Sequence, residues 1–189
     1  EVGSHITPLG ADFLVQNRTR GRVELLRVSR TGEITTELSG DLGVGGHDAA
    51  ATGRIVAAVS TPDSFGELVE VGVGPVTDFG APLRGTVIVA PQEHELPGRD
   101  GYPVHGWVAT PSGSGPFPVI LQIHGGPYAQ YSTTVFDETQ VLVDAGYAVV
   151  YSNPRGSAGY GRAHGRSIRG AMGKVDFHDV IDFLDAAIA

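Results

Sequence analysis

The chain has 189 residues, enough for one large domain or two small ones with a real core. Its 28 glycines and 12 prolines, against 18% charged residues, mark a turn-rich chain with much β structure. A net charge of −8 repels phosphate and excludes nucleic acid and anionic membranes as partners, while the lack of any cysteine excludes disulfides, thiolate metal sites and a cysteine nucleophile.

No apolar run reaches 18 residues, so no membrane-spanning helix is expected, and the cysteine-free composition fits a reducing, cytoplasmic setting. The chain opens on Glu1 without a basic-then-apolar leader, so no targeting signal is expected and the true start is expected upstream. Strand-sized runs then recur at 13–17, 23–29, 34–38, 54–60 and 68–72. Arg20-Gly21, Arg30-Thr31-Gly32, Thr52-Gly53 and Asp63-Ser64-Phe65-Gly66 separate them and supply turn glycines. The spacing predicts an antiparallel meander. Val23 and Leu25, then Ile55, Ala57 and Val59, give it a period-two apolar face that a neighbouring sheet must cover.

The stretch 81–100 holds Pro82, Pro91 and Pro97 around Glu93-His94-Glu95 and reads as a linker, with a domain boundary near residue 95. Beyond it, 104–109 is a strand, 111–118 a Ser/Gly/Pro loop, and 119–123 an apolar strand suited to cover on both faces. Helical spacing over 135–145 stops at Gly146, and 147–151 is a further apolar strand, which implies a parallel crossover. At the end, Phe177, Val180, Ile181, Leu184 and Ile188 follow helical periodicity. Asp176 is the expected cap, with Val175 and Val180 as a hydrophobic staple. The series Asp176, Asp179, Asp182 and Asp185 is expected on a solvated face.

Two segments could carry chemistry, and each directly follows an apolar strand. In Ile123-His124-Gly125-Gly126-Pro127, the glycines let a backbone N–H come close to an oxygen that turns anionic when its carbon is attacked; as an isolated sequence they equally make a tight turn. The second segment is Asn153-Pro154-Arg155-Gly156-Ser157-Ala158-Gly159-Tyr160-Gly161. Arg155 suits a substrate carboxylate or an internal salt bridge. The seven histidines show no pairing four residues apart and no flanking ligand set, so no metal or other cofactor is expected.

These two segments, preceded by Asp100-Gly101-Tyr102-Pro103-Val104-His105-Gly106-Trp107 and followed by Gly170, Gly173 and Asp176, resemble the prolyl-oligopeptidase-like serine peptidases, most closely their acylaminoacyl-peptidase branch. The resemblance is strong over 95–189. It implies one or more C-terminal β-propeller blades with a linker over 1–95, then the first half of an α/β-hydrolase catalytic domain over 96–189. It further implies a Ser-Asp-His triad beyond Ala189. Neither serine that approaches an elbow pattern fits Gly-x-Ser-x-Gly: Arg155 precedes Ser157 at the first glycine position, and Pro116 follows Ser114 at the last.

Carried over by position, Gly126 supplies one oxyanion-hole N–H and His124 shapes its loop. His164 stands where the family commonly has phenylalanine, and Met172 where it often has tryptophan. The expected function is that of a fragment, inactive alone, of a serine peptidase that removes N-acylated or short N-terminal residues from small peptides. Its expected partner is the remaining C-terminal part of the same protein, and homo-oligomer formation stays open. An esterase portion and a non-catalytic interaction module are the alternatives.

Overall fold

The computed structural model describes residues 2–83, 86 and 88–189, and the chain divides into two compact units. The first comprises 1–87 with Ser132–Val135, and the second comprises 88–131 with 136–189. Among the described residues no helix is long and apolar enough to cross a membrane.

Two antiparallel meanders build the first unit. β1 (Val2–Leu9), β2 (Asp12–Thr19), β3 (Arg22–Val28) and β4 (Ile34–Leu38) form one, and β5 (Gly43–Ala49), β6 (Ile55–Thr61), β7 (Ser64–Glu70) and the short β8 (Gly74–Pro75) form the other. A single parallel bridge, Val23 to Gly43, joins them. The turn between β2 and β3 has positive φ at both Arg20 (46°) and Gly21 (75°), the backbone that matches a two-residue hairpin to strand twist. Leu14, Leu25, Val44, Ile55, Ala57 and Val59 form the core, so the alternation in β6 points inward as its sequence predicts. Sequence periodicity does not reveal β1 or β5: Gly43, Gly45 and Gly46 dilute the pattern of β5, which pairing with β6 nonetheless holds extended. β7 starts at Ser64, so the expected turn at 63–66 shrinks to Pro62-Asp63.

In the second unit, β9 (Gln92–Pro97), β10 (Pro103–Ala109), β11 (Val119–Gln122) and β12 (Ala148–Asn153) form a mixed sheet in the order β11-β12-β10-β9. The boundary near residue 95 therefore moves upstream to 87/88, because β9 is no linker: six of its residues pair with β10. Arg84, Gly85 and Val87 of the expected linker lie outside the described residues.

β11 runs parallel to β12, and α1 (Asp137–Asp144) connects them, as the strand–helix–strand pattern requires. Helix α1 ends in a Schellman motif: Gly146 (φ 93°) and Tyr147 donate to the Val143 and Leu142 carbonyls. Its start is later than the expected residue 135, because the Val135 N–H is committed to the Thr61 carbonyl in the first unit. Two more helices follow β12, the short α2 (Gly161–Arg166) and α3 (Val175–Ile188). One sheet face packs Trp107, Ala109, Val149 and Tyr151 with Val143 of α1; the other packs Val104 and Val150 with Phe183 of α3. Every residue of β12 is buried. β11 differs from its expectation of two covered faces: it is the sheet edge, with Val119 and the following Ile123 exposed.

Helix α3 also departs from the expected stripe. Asp179, Val180 and Phe183 are its buried residues, while Phe177 and Ile188 are exposed. Val175 begins the helix, which leaves no room for the staple. Asp176 sits inside the first turn, where its carboxylate reaches back to the Gly173 and Lys174 amides.

Where β10 crosses α3, only glycine fits. A Cβ on Gly106 would lie 2.6 Å from Phe183 Cζ and 2.7 Å from Ser152 Cα, besides striking the Tyr151 carbonyl. Gly106→Ala is expected to destabilise the chain by about 3 kcal/mol in urea unfolding, since two of the three obstacles are backbone.

His47 on β5 is buried and meets His5 edge-on at 4.9 Å. Burial holds its pKa below the ordinary 6.5. The unfolded chain then binds the proton more readily, so this contribution is complete above about pH 6.5 and declines as pH falls toward the lowered folded value. Unfolding measured from pH 7.5 to 5 is expected to show a flatter acid limb in His47→Phe.

Candidate active site

The two glycine-containing segments leave the C-terminal ends of the parallel strands β11 and β12, and they are tied to each other. Asn153, 1% exposed, does most of this: its Oδ1 accepts from the Tyr131 N–H at 2.7 Å and its Nδ2 donates to the Tyr131 carbonyl at 3.0 Å. Backbone bonds from Tyr128 N to Gly156 O (3.1 Å) and from Ala158 N to Ala129 O (2.9 Å) continue the link. Gly156 is required by the chain itself, with φ at 105° and Ile168 packed where a Cβ would be.

Between the segments and α3 lies a cavity of about 220 Å³. Gly125, Gly126, Pro127, Ser157 and Arg155 contribute to its wall, and Ile123, Ile168, Met172, Phe177 and Val180 make it largely apolar. Gly126 is exposed at this cavity, and its N–H has no hydrogen-bond partner among the described residues. Neither Gly125 nor Gly126 has positive φ. A Cβ on Gly125 would meet nothing within 4 Å, and one on Gly126 only ordinary contacts from 3.4 Å. The chain's own packing thus does not demand glycine at either position. His124 lies with Nδ1 2.7 Å from the Gly125 carbonyl and Nε2 3.0 Å from Ser157 Oγ, which places it within the loop's own bonding.

Arg155 adopts the internal salt bridge of the two roles its sequence allows. Its backbone N–H and Nε donate to Asp179 Oδ2 at 2.8 and 2.9 Å, Nη2 to Oδ1 at 2.6 Å, and Nη1 pairs with Asp100 at 2.7 Å. The guanidinium also lies 4.4 Å over the Tyr102 ring. These hydrogen bonds raise the arginine's pKa above its already high value, and the bond from Arg155 lowers that of Asp100.

The solvated aspartate face is corrected accordingly: Asp179 is 1% exposed and bound to Arg155, and Asp182 binds Arg99 at 2.6 Å. The available signal was Asp179 sharing a helix face with Phe183, four residues on, while Arg155 has no acid in its own loop. Sequence reasoning also missed Asn153 as the clamp and the buried His105, which contacts Glu93 and the Tyr160 hydroxyl.

This arrangement has known counterparts. All of the chain superposes on 30% of the acylaminoacyl peptidase of Pyrococcus horikoshii, with a TM-score of 0.91 and 25% identity, so the class is that of the acylaminoacyl-peptidase fold. Residues 133–189 match the model of the Prolyl oligopeptidase family. Over 143 residues it is 41% identical to the Uncharacterized peptidase YuxL of Bacillus subtilis (strain 168), a match covering 71% of this chain and 22% of that protein. Over 106 residues it is 31% identical to Dipeptidyl-peptidase 5 of Schizosaccharomyces pombe, covering 52% and 16% respectively. The chain therefore spans only a minor part of each relative it matches.

Removing the Asp179 carboxylate strands Arg155 beside Asp100 alone. Asp179→Ala is expected to cost about 2–3 kcal/mol in urea unfolding, below the roughly 3–5 kcal/mol for breaking a fully buried pair, because Asp100 stays.

Proposed function

We propose that this chain is the part of a serine peptidase that contributes one arm of the oxyanion hole, with the Ser-Asp-His triad carried by the rest of the same protein. In this reading the two meanders of the first unit are propeller blades and the second unit is the first half of an α/β-hydrolase domain. When a serine hydroxyl attacks a peptide or acyl carbonyl carbon, the π electrons move to oxygen, and the Gly126 N–H donates to the resulting anion. The second donor comes from the residue after the serine. The observation that carries this is the unpartnered Gly126 amide at a cavity, on a glycine that the fold itself does not require.

The exposed edge of β11, together with exposed Val119, Ile123 and Phe177, supports a continuation of the sheet by the remaining part of the protein. The names of the relatives support removal of N-acylated residues or short N-terminal pieces from small peptides as the activity of the whole protein. The cytoplasm is the location we assign, on the cysteine-free composition.

The full-length protein is expected to take up a serine-directed phosphonate and to hydrolyse an N-acetyl-amino-acid anilide or a dipeptidyl anilide, while the 189-residue chain alone does neither. Gly126→Ala in the full-length protein is expected to keep its melting temperature yet lower kcat by about tenfold or more, because the added methyl enters the space of the oxyanion and not of the fold. Turnover by the isolated chain, or a full-length protein inert to both reagents, overturns the reading.

A further inference from the structure

Two residues of the second unit are locally out of place, and they touch. Tyr128 has φ 66°, in the left-handed region where a bulky L side chain crowds its own backbone. The other non-glycine with positive φ among the described residues, Arg20, sits in a hairpin turn that requires it, and no hairpin surrounds Tyr128. Gly165 lies within helix α2 with no positive φ of its own, at a position where alanine would make the better helix. A Cβ on Gly165 would stand 3.1 Å from Tyr128 Cε1 and 3.5 Å from Cδ1, so the bare backbone of Gly165 is the seat of the tyrosine ring. One contact accounts for both departures. Gly156 joins the same two elements through the backbone: its carbonyl accepts from the Tyr128 N–H at 3.1 Å, and its own N–H donates to the His164 carbonyl of α2 at 3.0 Å. The reversal at Tyr128 also lies directly against Gly126, where a Cβ would be 3.4 Å from the Tyr128 nitrogen and 3.6 Å from the Ala129 nitrogen.

We propose that Tyr128 is a positioning residue for the Gly125-Gly126 turn, which it holds against α2 through the seat of its ring on Gly165. Glycine at 128 would be unstrained in the left-handed state, but it takes negative φ as readily, so the backbone alone would not select one state. The tyrosine does the opposite. Its backbone is strained, and the packed ring together with the bond to Gly156 keeps it there, an arrangement found where a site must hold one geometry. Gly165 is then glycine for the sake of the ring, in the way Gly156 is glycine for Ile168. The effect on rate rests on the role proposed for Gly126; the effect on the turn does not.

The test changes both partners in the full-length protein. Tyr128→Gly relieves the backbone and removes the ring, so Tm is expected to stay close to wild type while backbone hydrogen exchange over 125–130 speeds up about tenfold with β10 unchanged. In the same variant kcat is expected to fall about tenfold with KM nearly constant. Tyr128→Ala removes the ring but keeps the strain, and is expected to match the glycine variant in exchange and rate while melting at a lower temperature. Tyr128→Phe keeps the ring and is expected to recover most of the protection and the rate. Gly165→Ala is expected to lower Tm beside Tyr128, where the new methyl displaces the ring, and to raise Tm in the Tyr128→Gly background, where helix propensity alone is left. Wild-type exchange over 125–130 in both Tyr128→Gly and Tyr128→Ala, or the same Tm shift from Gly165→Ala in both backgrounds, overturns the proposal. Faster exchange with kcat unchanged overturns the link to the rate and counts against the role of Gly126. A wild-type protein that neither reacts with the phosphonate nor hydrolyses the anilides defeats the peptidase reading instead, and the exchange and double-variant comparisons still decide the role of Tyr128.

Discussion

A single carboxylate sets the geometry on which the second unit's site depends. Asp179 receives both the main-chain amide and the guanidinium of Arg155, and so fastens the segment after β12 to helix α3 with one buried group. The backbone bond fixes where the loop begins, and the side-chain bonds fix which way the arginine lies across Tyr102. Everything downstream in space inherits that setting: Pro154 and Ser157 flank Arg155, and through them the Gly125-Gly126 turn is held. Desolvating two charges is expensive, and such a pair persists where geometry, more than stability, is what it secures.

Much of the second unit is legible in the sequence because hydrophobic pattern and chain punctuation agree there. The crossover from β11 through α1 to β12 follows from two apolar runs and a helix ended by Gly146, and each of these signals is local. What stays hidden is decided by partners far along the chain. β9 reads as polar linker and becomes a strand because β10 offers it a ladder; Asp179 reads as a wet face and becomes a buried acid, 1% exposed, because Arg155 lies 24 residues earlier. The site is legible in the same divided way. Gly126 and Arg155 draw notice from their segments, whereas Asn153, Ser157 and His164 emerge as a connected set only when both loops are folded against each other.

The glycines separate into two kinds, and the distinction bears on function. Gly106 and Gly156 are demanded by their own neighbours, since a methyl at either would strike Phe183 or Ile168. Gly125 and Gly126 meet no such obstacle from within the chain. Gly126 thus combines an open amide at a cavity with a position that packing leaves free to vary, which is what the role proposed for it requires.

The four residues Ser132–Val135 give the fold a topological consequence. The backbone passes from first unit to second after residue 87, returns for these four, and leaves again at Phe136. Their amides at Thr133 and Val135 bond to the carbonyls of Gly21 and Thr61. Cutting the gene at the 87/88 junction therefore does not yield two self-sufficient pieces: a recombinant second unit would carry a short tether whose hydrogen-bond acceptors had been left behind, placed immediately ahead of helix α1.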